Sequence, residues 1–220
     1  METKIQFQKN ANVIAADGQP VGYLDRVVFN PETMVVTDIV VRTGALFNKE
    51  DKVVPIDFIA DTTADQVILR EEAGELAAFA PFEEEHIVDP EGESGERPSS
   101  AAEAAQPLIY GSPVLGTSMQ PAPWERTVTR IDQNIPAGTI AMREGARVVT
   151  ADGKHVGSVE RVLTDPGEEQ ITYLLVSVGK FTKKAKLVPS HWVKQVNEDE
   201  VELWVYKVSV DELADATIQQ

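Results

Sequence analysis

Two stretches of this chain repeat one another, and that repetition constrains the fold more than any other feature. AADGQPVGYLDRVV begins at Ala15 and TADGKHVGSVERVL begins at Thr150. Setting Ala11 on Ala146 without a gap places Val13 on Val148, Asp17 on Asp152, Gly18 on Gly153 and Val21-Gly22 on Val156-Gly157. It also places Arg26-Val27 on Arg161-Val162, Pro31 on Pro166, Thr37 on Thr172, Val41 on Val176 and Gly44 on Gly179. One residue is then lost in a loop, after which KVVPIDFI from Lys52 lies on KLVPSHWV from Lys186, and DQVIL from Asp65 on DEVEL from Asp199. Repetition at this scale is read as two copies of one domain and not as the shorter period of a solenoid.

A length of 220 residues suits one or two domains, and a hydrophobic share of 42% suffices for two modest cores. Between the copies, DPEGESGERPSSAAEAAQP from Asp89 is too polar to bury a face and has the composition of a linker. The expected organisation is a first domain over 1–88, an acidic, proline-rich linker over 89–135 and a second domain over 136–220. From Leu108 to Ile135, Ile109, Tyr110, Val114, Leu115 and Trp124 stand among prolines and glycines. Little regular structure is expected there; the apolar residues dock on a domain or form a partner-binding motif.

Each copy reads as short strands separated by turns. ANVIAA from Ala11 leads into Asp17-Gly18, a pair suited to a type I′ hairpin turn because that turn needs positive φ at both central residues. The next strand runs from about Val21 to Phe29, and Gly22 inside it predicts a bulge or a close backbone approach. Asn30-Pro31 and Asp165-Pro166 end that strand and its counterpart as turns. In VVTDIVV and ITYLLVSV, the aligned pairs Ile39/Leu174, Val41/Val176 and Thr43/Val178 share one face at period two, with Val40/Leu175 on the other. Val54-Pro55 and Val188-Pro189 mark an edge, a strand start or a bulge, because proline donates no ladder hydrogen bond. A fifth strand, QVILR or EVELWVY, precedes a short amphipathic helix, Glu72 to Phe79 or Val210 to Ala216, with Asp211 as a candidate cap. Turns at intervals of roughly ten residues indicate small barrels or sandwiches.

The pattern ADGxxVGxVxxVxxDP, followed by an apolar strand and a loop ending in a Val-Pro pair, resembles the PRC-barrel domain family. It is carried by Ala16 to Pro31 and Ala151 to Pro166, closed by Val54-Pro55 and Val188-Pro189. The resemblance covers roughly 5–85 and 136–214, and GELAAFAPFEEEH from Gly74 is similar to the tail of bacterial stand-alone members. It implies a mainly β protein: two small PRC-barrel-like β-barrels with short C-terminal helices, joined by a long irregular linker. It also implies a protein-interaction or assembly role without catalysis, as in similar domains of the photosynthetic reaction-centre H subunit and a ribosome-maturation factor. The membrane helix of the former and the N-terminal module of the latter have no counterpart here.

The residues themselves argue in the same direction. A net charge of −16 opposes general nucleic-acid binding and attraction to anionic lipid, both of which need clustered basic groups. Without cysteine there is no disulfide, thiolate nucleophile or cysteine metal site. METKIQFQKN has no apolar signal core, and no apolar run reaches the roughly 18–20 residues of a membrane span, so a cytoplasmic protein is expected. His86, His155 and His191 lack metal-ligand spacing, and EEEH from Glu83 reads as a solvated segment. Asp17 and Asp152 sit beside glycine, where aspartate bonds its own turn. Asp25/Arg26 and Glu160/Arg161 read as surface pairs acting across strands. Neither a GxSxG elbow, a Walker A loop nor a GxGxxG run is present, so no catalytic residue, cofactor or metal is expected.

The copies differ most in charge in one loop. GKFTKKAK supplies Lys180, Lys183, Lys184 and Lys186, where the first copy has Lys49 and Lys52 among Glu50 and Asp51. These four lysines are either a solvated hairpin loop or a docking patch for an acidic partner or for the acidic linker of the same chain. The expected function is a non-catalytic module that binds a protein partner or self-associates, with packing of the two barrels on each other permitted. Two alternatives are a weak RNA or ribosome contact through the Lys180–Lys186 loop and an enzyme with an unrecognised inter-domain site.

Overall fold

Alternating apolar residues and frequent turns produce strands along the whole described chain. The computed structural model describes residues 6–8, 10–44, 49–63, 65–73, 76–88, 128–165, 167, 169–179 and 184–216. The N-terminal part holds β1 (Gln6–Gln8), β2 (Asn12–Ile14), β3 (Pro20–Phe29), β4 (Val36–Thr43), β5 (Glu50–Pro55), β6 (Ile59–Thr62) and β7 (Gln66–Leu69). β8 (Glu83–Val88) and β9 (Val128–Gln133) form a two-stranded sheet. The C-terminal part holds β10 (Ile140–Arg143), β11 (Arg147–Val149), β12 (His155–Thr164), β13 (Ile171–Val178), β14 (Lys184–Pro189), β15 (Val193–Val196) and β16 (Glu200–Leu203). It ends with α1 (Lys207–Glu212) and β17 (Asp215–Ala216). By contacts, Met1–Glu83 and Gln133–Gln220 form one unit and Glu84–Asp132 another.

The two large sheets are built alike. One runs β5-β4-β3-β2-β7-β6 and the other β15-β16-β11-β12-β13-β14-β17. β2 pairs parallel with β7 as β11 does with β16, while the long β3–β4 and β12–β13 pairs are antiparallel. Neither sheet closes into the expected barrel. The outer edge of β5 is taken by residues 80–82, through Val53 N–H to the Ala80 carbonyl at 3.0 Å and Phe82 N–H to the Asp51 carbonyl at 2.7 Å. β17 takes the same edge of β14, so neither edge strand is free to meet the far end of its sheet.

Each sheet is completed by a strand from the other part of the chain. β1 pairs antiparallel with β12, setting Phe7 opposite Val162. β10 pairs antiparallel with β3, setting Met142 opposite Val27. The two registers correspond residue for residue under the alignment that sets Ala11 on Ala146. Asn10 and Gly145, at aligned positions, carry φ values of 56° and 80° and turn the chain from the exchanged strand into its own sheet. Phe7 and Met142 are both buried in a single apolar core that also takes Leu24, Ile39, Leu174 and Val201. Burying a side chain of that size stabilises the fold by about 1.5–3 kcal/mol.

Local details refine the expectations. In the Asp17-Gly18 turn only Gly18 has positive φ, at 83°, and Gly18 N–H donates to the Ala15 carbonyl at 2.9 Å. Ala15 N–H donates to the Gln19 carbonyl at 2.9 Å, so this is a three-residue loop with a left-handed glycine and not the expected type I′ turn. Gly22 and Gly157 do mark a close approach: a Cβ there would lie 2.5 Å from the Arg42 carbonyl oxygen and 2.0 Å from that of Ser177. The expected helix over Glu72–Phe79 gives short 3₁₀ turns at Glu71–Ala73 and Leu76–Ala78. The second helix lies earlier than expected, at Lys207–Glu212, and Asp211 is in its last turn, not at its cap. The expected linker keeps residues 89–127 outside the described part, but Val128–Gln133 is a strand, in keeping with its β-branched residues.

Candidate interaction surface

The repeated phrase is a folding element. Asp152 accepts from Thr150 Oγ1 at 2.6 Å and pairs with Lys154 Nζ at 2.8 Å. The Lys154 contact and then the Thr150 hydrogen bond hold its carboxyl down to about 2. Asp17 Oδ1 accepts from Gln19 N–H at 3.0 Å. Asp25 and Glu160 are the extra residues of two bulges: β3 passes from Leu24↔Val41 to Arg26↔Val40, and β12 from Val159↔Val176 to Arg161↔Leu175.

A bulge reverses which face the following residues use. The arginines are not the expected surface pairs, because the face they occupy after the bulge is itself covered, by Phe82 for Arg26 and by Gln6 and Gln8 for Arg161. Arg26 is buried, stacks over the Phe82 ring at 4.6 Å and pairs with Asp25 at 3.3 Å and Glu198 at 2.6 Å. Arg161 is half-buried and donates to Gln6 Oε1 at 3.0 Å and to Gln8 Oε1, both on β1. Burial lowers its pKa from the usual arginine value. Arg42 reaches both Asp25, at 2.7 Å, and Asp51, at 2.9 Å, and lines an open groove of about 550 Å³ with Lys49, Lys52 and Phe82.

The lysine loop divides. Lys180 and Lys183 lie outside the described residues. Lys184, on β14, pairs with Asp215 Oδ2 at 2.7 Å. Lys186 is buried: its Nζ donates to the Asp211 carbonyl at 3.0 Å and to the Leu213 carbonyl, and pairs with Asp215 Oδ1 at 3.3 Å. Lys184 and then Lys186 lower the Asp215 pKa. These two lysines thus tie β14 to the segment that follows α1. His155 and His191 are exposed, and His191 meets Trp192 edge-on at 6.4 Å. Among the described residues no group of three or more histidines and carboxylates could hold a metal ion.

A different surface stands out. Trp204, Tyr206 and Val208 are each about three-fifths exposed, while Val210 is fully buried. The backbone presents them firmly. Trp204 N–H donates to the Trp192 carbonyl at 2.8 Å, and the Val205 carbonyl accepts from Ala151 N–H at 2.9 Å. Lys194 Nζ lies 5.5 Å from the Trp204 ring centroid. In the alignment Trp204 falls on Arg70 and Tyr206 on Glu72, so the same backbone positions are polar in one sheet and aromatic in the other. Reading the repeats past Leu69 and Leu203 reveals that reversal from sequence; the exposure of the aromatic side chains needs the structure.

The molecule is thus a β-rich protein of two similarly built sheets that exchange strands, with Trp204, Tyr206 and Val208 exposed in the segment after β16. The model of the PRC-barrel domain matches residues 144–213, so the C-terminal part carries a PRC-barrel domain, a module usually involved in protein interactions. No curated protein matches the chain. Among the described residues no helix is long and apolar enough to cross a membrane.

Proposed function

We propose that the N-terminal part is a second PRC-type repeat and that the chain is a non-catalytic interaction module that binds a protein partner through Trp204, Tyr206 and Val208. The observation that carries this reading is the change from Arg70 and Glu72 to Trp204 and Tyr206 at aligned positions. Exposed tryptophan and tyrosine are the residues that dominate binding energy at protein interfaces. Matching strand registers support two repeats. The lysine loop is the weaker candidate, since Lys184 and Lys186 are engaged with Asp215 and the end of α1. The same engagement weighs against an RNA contact there.

The test is affinity capture from the native organism's lysate, read by mass spectrometry, with two variants. Trp204→Arg/Tyr206→Glu gives the second repeat the residues of the first and is expected to lose the partner. Lys180→Glu/Lys183→Glu/Lys184→Glu is expected to keep it. Capture that survives the aromatic replacement and is lost on lysine reversal overturns the reading.

A further inference from the structure

We propose that two copies of this chain associate by exchanging halves, the N-terminal sheet of one pairing with the C-terminal sheet of the other through the registers that a single chain uses. The proposal rests on the reciprocal strand exchange and is independent of the aromatic surface. Without β1, the edge of β12 at Arg161–Leu163 loses its partner, and buried Phe7 leaves the core. Without β10, the edge of β3 at Arg26–Phe29 opens, and buried Met142 leaves. An open strand edge beside a vacated apolar site is a template for another strand, and the strand that fits it is the one from the opposite half.

The links between the turns at Met34 and Glu169 are reciprocal too. Val36 N–H donates to the Glu169 carbonyl at 3.0 Å, and Ile171 N–H donates to the Met34 carbonyl at 2.7 Å. Val35 and Gln170 form an antiparallel bridge between these turns. A dimer whose paired halves come from different chains keeps every one of these contacts. What favours pairing within one chain is the covalent connection, which acts as an effective concentration on the order of mM. Exchange between chains competes as protein concentration approaches that value, and prevails where the connection is too short to let one chain pair with itself.

The test begins with the unsubstituted chain, unfolded in denaturant and refolded at concentrations from about 5 to about 500 µM, then sized by light scattering. The dimer-to-monomer ratio is expected to rise about a hundredfold over that range, in proportion to concentration. Gln8→Cys/Arg161→Cys places cysteines directly opposite in the β1–β12 ladder, a separation that suits a disulfide, in a chain with no other cysteine. Gln6→Cys/Leu163→Cys is the alternative pair should the first not fold. The disulfide is expected within one chain in the monomer and between chains in the dimer. Deleting 89–127, so that β8 runs straight into β9, is expected to give dimer at every concentration. Restoring about twelve Gly/Ser residues is expected to return the monomer. A chain that is monomeric at all concentrations, or a dimer whose disulfide stays within one chain, overturns the proposal. Trp204 and Tyr206 lie in neither exchanged register, so failure of the partner-binding reading leaves these outcomes unchanged.

Discussion

Arg26 Nη1 lies 2.6 Å from Glu198 Oε2, joining the bulged strand β3 to the turn between β15 and β16. Gln133 donates to the other Glu198 oxygen, also at 2.6 Å. This pair supplements the β1–β12 and β10–β3 ladders, so the two sheets are linked by side chains as well as by backbone.

Glu198 tests that link. Burial pushes its pKa up, but hydrogen bonds from Gln133 and Arg26, with the charges of Arg26 and Arg143, outweigh burial and leave it lowered from 4.5. A lowered folded-state pKa contributes stability above the unfolded value, and that stability is lost as pH falls through the folded value. Glu198→Gln is expected to cost about 1 kcal/mol at pH 7, kept small because Glu198 is two-fifths exposed. Thermal melts across pH should show the gap from wild type closing as acid protonates Glu198. A gap of equal size at acid pH would mean that charge plays no part.

Gly157 carries the closest backbone approach. A Cβ there would sit 2.0 Å from the Ser177 carbonyl oxygen, and backbone cannot yield as a flexible side-chain end does. Gly157→Ala is expected to destabilise by about 3 kcal/mol or more, through separation of β12 from β13. Denaturant unfolding measures this, and a cost under about 1 kcal/mol would show that the strands part easily.

Much of this architecture is legible in the repeat. Spacing alone locates both sets of long strands, the Asp-Gly loops and the close glycines, whereas Pro55 and Pro189, read as an edge, a strand start or a bulge, are the last residues of β5 and β14. The bulges at Asp25 and Glu160 are not legible, because an extra residue is defined only against the register of the neighbouring strand. Arg26 is misread as a surface residue for another reason: the face it shares with Val28 is covered by Phe82, which no local pattern shows. Nor can the exchange of β1 and β10 be read, since Phe7 and Met142 look like ordinary core residues of their own repeats. The exposed aromatics are half legible: Trp204 on Arg70 is visible in sequence, but whether such a residue is buried depends on what the fold brings against it.

Asp38 on β4 is a buried carboxylate whose Oδ2 has no hydrogen-bond partner. Burial raises its pKa above 3.8, against the lowering effect of a Thr37 hydrogen bond. A raised folded-state pKa makes the contribution to stability complete below the unfolded value, and that contribution is lost as pH rises through the folded one. Asp38→Asn removes a charge that is costly to bury and leaves a neutral amide of the same shape. The variant is expected to gain about 1 kcal/mol at pH 7, or roughly 2–4 °C in Tm, with the gain vanishing below the ordinary aspartate range. Melts at pH 3 and pH 7 decide; an equal shift at both would trace the effect to packing.

Lys184 and Lys186 separate a surface charge from a structural one. They are neighbours on β14 and both meet Asp215, yet only Lys186 is buried with two backbone carbonyls as acceptors. Those carbonyls, of Asp211 and Leu213, lie at the end of α1, where helix carbonyls lack intrahelical donors. A cation there also suits the helix dipole. Lys186→Met keeps the apolar stem and removes the donors, and is expected to cost about 2 kcal/mol. Hydrogen exchange should quicken over residues 211–216. Lys184→Ala breaks an exposed ion pair and is expected to cost under about 0.5 kcal/mol, with exchange little changed. Equal effects of the two substitutions would contradict the division of roles, and would mean that Asp215, not the carbonyls, is what Lys186 holds.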